Sequence, residues 1–162
     1  MLLFAALTGC FVFPVCRNPD DPPTCEVVVY DSEGMDAAST GQPMHPYFGL
    51  QGGNHLELEV LLAGTSEHPD VGVEVIAEDG TVVAEKGLWQ ERYPIEERDT
   101  CSGDALFLQA PFSGSDLLCG REDDVYRVVV TVVRRDGTAG TCETTGTVAT
   151  DRLDVWCDTG GF

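Results

Sequence analysis

Between residues 55 and 62 the chain reads His-Leu-Glu-Leu-Glu-Val-Leu-Leu, which sets Leu56, Leu58, Val60 and Leu62 on one side and His55, Glu57 and Glu59 on the other. Successive side chains of an extended strand point to opposite faces, so this period describes a half-buried β-strand. Val71, Val73, Val75 and Ala77 repeat the pattern, as do Tyr126, Val128, Val130 and Val132 within the run Asp124 to Arg134. Both later runs end in Asp-Gly: Asp79-Gly80 precedes Val82-Val83-Ala84, and Asp136-Gly137 precedes a last strand around Thr141 to Ala149. Glycine supplies the positive φ that a tight reversal needs, and both sites read as hairpins. A short strand from Glu26 to Tyr30 brings the total to about seven, with no convincing helix and no internal repeat. One-sided strands need a second sheet to cover them, so the expected fold is all-β: an antiparallel sandwich. A jelly roll or small barrel is the architectural alternative.

The stretch Asp124-Val-Tyr-Arg-Val-Val-Val-Thr-Val-Val-Arg-Arg-Asp-Gly137 resembles the penultimate-strand hairpin of immunoglobulin-like and fibronectin-type-III-like domains, with Tyr126 where a tyrosine corner would stand. Val128 occupies the place of the second core cysteine of antibody domains, and no Trp lies on the presumed third strand. The resemblance therefore implies the broad immunoglobulin-like class, with about seven strands, and not an antibody-type domain.

Seven cysteines are an odd number, and the first of them has a distinctive setting. Met1 to Leu7 is apolar and is followed by Thr8, Gly9 and Cys10. Leu7-Thr-Gly-Cys10 resembles the lipobox of bacterial lipoproteins, which implies cleavage before Cys10 and acylation of that cysteine. Residues 1–9 are then a signal peptide. No Lys or Arg precedes the apolar run, so the true start codon and its basic segment are expected upstream. A signal anchor or buried strand is the competing reading. The apolar run stops before Arg17 and contains Gly9 and Pro14, short of the roughly 20 residues a spanning helix needs. Phe11 rather than Asp follows Cys10, which by analogy with enteric sorting implies the outer membrane over the inner.

With Cys10 acylated, Cys16, Cys25, Cys101, Cys119, Cys142 and Cys157 remain, an even set suited to disulfides in an oxidising compartment. No C-x-x-C pair is present and no His lies close to a cysteine, which argues against zinc. Cys101 with Cys119 is the first expected bridge, because Ser102 to Leu118 reads as an irregular loop that a local link would constrain. Cys142 with Cys157 and Cys16 with Cys25 complete that scheme.

Residues 10–24 contain Arg17-Asn-Pro-Asp-Asp-Pro-Pro-Thr24, which opposes helix and packed core alike and reads as a tether. The sandwich is expected over residues 25–157, with 158–162 as a tail. The chain is 43% hydrophobic, enough for one core, and its net charge is -19. Such a balance excludes nucleic-acid binding, which needs a basic surface. It also leaves membrane attachment to the lipid, because anionic head groups repel an acidic domain.

Two segments break the strand pattern. Asp31 to Asn54 is a long connection ending in Gly49-Leu-Gln-Gly-Gly-Asn-His55. This run, with the alternating strand after it, resembles a G-x-Q-G-G-x-H pattern of secreted proteins and lipoproteins from GC-rich Gram-negative bacteria. The resemblance implies export and names no reaction. Physically, Gly49, Gly52 and Gly53 permit close backbone approach while Gln51 and His55 offer hydrogen bonds, making a candidate binding segment. The plainer reading is a tight turn whose Gln51 and His55 face solvent. The second segment, Gly87 to Gly120, holds Trp89, Tyr93, Phe107 and Phe112. These aromatic residues can form a recognition surface, but packing over an open end of the sandwich is the commoner use.

No catalytic residues are assigned: the chain has three histidines and no G-x-S-x-G elbow, and its 28 acidic residues make chance carboxylate pairs uninformative. No cofactor is implied. Calcium is the fairest metal candidate, through Asp31, Glu33 and Asp36 around Gly34 or through Glu122-Asp123-Asp124, although neither matches an EF-hand. Met44-His45 raises copper, without the spaced Cys and second His of a blue-copper site. The expectation is a lipid-anchored, non-catalytic interaction or structural module of the cell envelope, with an envelope protein as possible partner. A periplasmic binder of calcium, copper or a small ligand is the alternative.

Overall fold

The computed structural model describes residues 21–48, 54–63, 69–90, 104–113, 118–121 and 123–149. The strand of strict alternation is β3 (Asn54–Ala63), with Leu56, Leu58, Val60 and Leu62 buried as its period requires. It is the centre of the first sheet. β1 (Thr24–Val29) pairs with its second half, β2 (Pro46–Phe48) with its start, and β6 (Asp104–Pro111) along nearly its whole length, all antiparallel. Because His55 and Leu56 pair with both β6 and β2, and Leu58 to Leu62 with both β6 and β1, the two short strands lie end to end on one edge of β3 and β6 lies on the other.

The second sheet has the order β5 (Val82–Gln90), β4 (Asp70–Ile76), β7 (Tyr126–Val133), β8 (Ala139–Gly146). Both Asp-Gly sites are hairpins built alike. Gly80 (φ 86°) and Gly137 (φ 85°) take positive φ, and Asp79 and Asp136 each accept the backbone N–H two residues on, at 2.9 Å. Val71, Val73 and Val75 of β4 and Tyr126, Val128, Val130 and Val132 of β7 face the leucines of β3 in one core.

Strands one and three, then four and five, then six, then seven and eight alternate between the two layers, and the fold is an immunoglobulin-like antiparallel sandwich. Tyr126 forms the tyrosine corner: it is buried, and its Oη donates to the backbone carbonyl of Arg121 at 3.2 Å.

Three expectations need correction. The segment read as an irregular loop, Ser102 to Leu118, contains strand β6. Its inward residues Leu106, Leu108 and Ala110 alternate with Ala105, Phe107 and Gln109; Phe107, apolar but pointing outward, hides the period. The connection from Asp31 to Asn54 is also not bare: it holds the one-turn helix α1 (Ala37–Thr40), capped by Asp36, and strand β2, which brings the strands among the described residues to eight. The third concerns the cysteines. Cys25 of β1 is bonded to Cys142 of β8, with Cα atoms 5.5 Å apart, so Cys16 with Cys25 and Cys142 with Cys157 are not the pairs. The link crosses from one sheet to the other, a juxtaposition that local spacing does not reveal. Cys119 is disulfide-bonded; its expected partner Cys101, with Cys10, Cys16 and Cys157, lies outside the described residues.

The strap leading into β1 lies against β8. A Cβ on Gly140 would run into the Pro23 carbonyl, and Arg134 donates from Nη1 to the Asp21 carbonyl at 3.1 Å. The Cys25–Cys142 bond holds the same flank. Along it Met44 bridges to Val148, its N–H donating to Thr147 and its carbonyl accepting from Ala149, both at 2.8 Å.

Candidate functional site

Of the segment Gly49, Gln51, Gly52, Gly53 and His55, only His55 is among the described residues. It opens the outward row of β3, directly across from Tyr47 of β2. The two rings are stacked with centroids 6.2 Å apart, and His45 meets Tyr47 edge-on at 5.1 Å. His55 Nε2 lies 3.5 Å from Glu57 Oε1, two residues along the same face. Only 14% of the His55 side chain is exposed, so it does not face solvent as the simple turn reading implies. Cross-strand aromatic contact covers it. His45 contributes its backbone N–H to the Tyr30 carbonyl at 2.9 Å, while its buried Nδ1 has no hydrogen-bond partner among the described residues.

Further along the same face, Tyr30 follows β1 and donates its Oη to Glu59 Oε2 at 2.5 Å. That bond to a carboxylate, reinforced by burial, pushes the phenol up to about 12. Glu59 is in turn paired across the ladder with Phe107 of β6, which is 75% exposed. Phe107 therefore does not pack over an end of the sandwich, whereas Phe112 is partly buried against the core. The Trp89 and Tyr93 side chains lie outside the described residues.

Charge divides the two sheets. β1, β2, β3 and β6 contain no Lys or Arg. The described cations, Lys86, Arg121, Arg127, Arg134 and Arg135, belong to the second sheet and its connections. There Arg121 joins Asp79 (2.7 Å) to Asp124 (3.2 Å), and its hydrogen bond holds the Asp79 carboxyl well below the usual carboxylate range. Among the described residues the outer face of the first sheet has glutamates and aromatic rings and no Lys or Arg.

The acidic loop proposed for calcium has a structural use. Asp31 is fully buried. Its Oδ1 accepts the N–H groups of Glu33 and Met35, both at 2.9 Å, and its Oδ2 accepts the Thr40 hydroxyl at 2.9 Å. These bonds, that from Met35 foremost, lower its pKa. Asp36 caps α1, accepting from Ala38 N–H and the Ser39 hydroxyl. Met44 is buried in the core, so its thioether is not presented beside His45. Asp124 is taken by Arg121, and Glu122 lies outside the described residues. Among the described residues no group of three or more His, Cys, Asp or Glu side chains is placed to hold a metal ion.

Neither the pattern of Phe107 nor the charge division was anticipated from the sequence. Leu106, Leu108 and Ala110 carried the missing period-two signal. The chain matches no protein-family model, no curated protein and no solved structure.

Proposed function

We propose that this chain is a lipid-anchored protein of the bacterial cell envelope whose immunoglobulin-like sandwich, fibronectin-type-III-like in strand order, works as a non-catalytic interaction or structural module. The observation that carries the reading is the fixed strap. Asp21 is tied by a hydrogen bond to Arg134 just after β7, and Pro23 and Cys25 are tied to β8 by a backbone contact and a disulfide. Cys10 precedes Asp21 by so few residues that the domain sits within about 40 Å of an acylated Cys10 even at full extension. A tether that enters the fold through a covalent staple transmits the anchor to the rigid core. The disulfides suit an oxidising envelope compartment, and the acidic domain leaves the lipid as the attachment.

Mass spectrometry of the chain recovered from membranes tests the anchor. The expected product begins at Cys10 and carries two or three acyl chains, with Cys10→Ala leaving the protein unacylated. A mature N-terminus elsewhere, or acylation that survives Cys10→Ala, refutes the reading.

A further inference from the structure

Edge strands of soluble sheets are normally blunted by charge, proline, bulges or cover, because their unpaired backbone groups recruit other strands. β5 follows that rule: it carries Glu85 and Lys86, and its ladder to β4 is interrupted twice by register shifts. β8 and β1 are held to one another by the Cys25–Cys142 bond. Among the described residues β6 has such a device only at its C-terminal end, where Pro111 closes the strand and the following Phe112 bridges to Ala84 of β5, with the Ser113 N–H donating to the Val83 carbonyl at 3.0 Å. From Asp104 to Ala110 it pairs with β3 alone, in an unbroken register from Leu56↔Ala110 to Leu62↔Asp104. It carries no charge from Ala105 to Ala110 and no proline before Pro111. On its outer face Phe107 stands 75% exposed between the small Ala105 and the neutral Gln109.

We infer that β6 is the docking edge of this protein, and that its occupant is an extended, arginine- or lysine-bearing segment of a partner protein that adds as a strand beside β6. The inference rests on the proposed role as an interaction module and names the surface and the partner chemistry. Backbone pairing to the open edge provides attachment. A strand added there lies about 10 Å from β3, two strand spacings. From that distance an Arg side chain laid over the Phe107 ring gains a cation–π contact and brings its charge toward Glu57 and Glu59, the ladder partners of Gln109 and Phe107. Charge selects the partner. With no cation in any of the four strands of this sheet and a net charge of -19 on the chain, a second copy is repelled and a basic segment is drawn in.

The test uses the full-length chain in dodecyl maltoside micelles and a fluorescent acetylated octapeptide alternating arginine and valine, titrated by anisotropy at physiological salt. Saturable binding is expected, weakened about tenfold by Phe107→Ser, as for loss of an aromatic anchor. It should be unchanged by Leu88→Ser, which alters another exposed apolar residue, 60% accessible, on the other sheet. The same peptide N-methylated at alternate bonds should not bind, because it cannot complete the strand ladder. Both serine variants should melt with the wild type. Four results overturn the proposal: no saturable binding; equal weakening by both serine variants, which marks diffuse attraction to an acidic protein; undiminished binding of the N-methylated peptide; or self-association that Phe107→Ser dissolves, which makes a second copy the occupant. Peptide bound away from β6 would refute this edge and leave the interaction role standing, and the acylation measurement is independent of all four.

Discussion

Removing the Cys25–Cys142 bridge, as Cys25→Ala with Cys142→Ala, should destabilise the domain more than any exposed substitution. The bond joins residues 117 apart. In the chain-entropy description, closing so long a loop restricts the unfolded chain by about 5 kcal/mol at 25 °C. Domains of this size are stable by only about 5–15 kcal/mol, so the loss is a large fraction of the whole. The fold itself should persist, because β1 remains laddered to β3 from Thr24↔Ala63 to Val29↔Leu58. Thermal unfolding followed by circular dichroism should show the same β signal and a midpoint lowered by about 10 °C or more. Peptide mapping of the unreduced wild type should recover Cys25 and Cys142 in one linked fragment. A variant that melts within about 2 °C of wild type, or a map linking either cysteine elsewhere, refutes the argument that this bridge closes the sandwich.

Val130→Asp puts an unpaired carboxylate among fully buried side chains and should cost upward of about 3 kcal/mol, read as loss of cooperative melting. Gly140→Ala should cost about 2 kcal/mol by pushing against the Pro23 carbonyl. Gly146→Ala, whose new methyl would meet only the Met44 side chain at ordinary contact distance, should melt close to wild type. Asp31 has a folded pKa below its ordinary 3.8, so its stabilising effect is fully present above that value and is lost as pH falls through the folded pKa. Asp31→Asn should lower the melting temperature at pH 7 and flatten the acid limb of a stability profile below the ordinary carboxylate value of 3.8; an unchanged limb would show that the buried carboxylate does not organise this loop.

The period-two runs of β3, β4 and β7, the two Asp-Gly hairpins and the place of Tyr126 at a strand start were legible in the sequence. Each depends on residues near one another in the chain: which side of a strand is apolar, which turn needs positive φ. These local rules suffice for an all-β sandwich and for a core containing Leu58, Val73 and Val130. They failed at β6, where Phe107 places an apolar side chain on the outward row and blurs the alternation. They also missed β2, whose three residues form a strand only because β3 offers an edge beside them. His55 was placed on the correct face, yet its burial came from Tyr47 across the ladder. The pairing of Cys25 with Cys142, the contact of Gly140 with Pro23 and the concentration of cations on one sheet arise when the two layers are superposed. They depend on distances between residues far apart in the chain, which only tertiary packing sets.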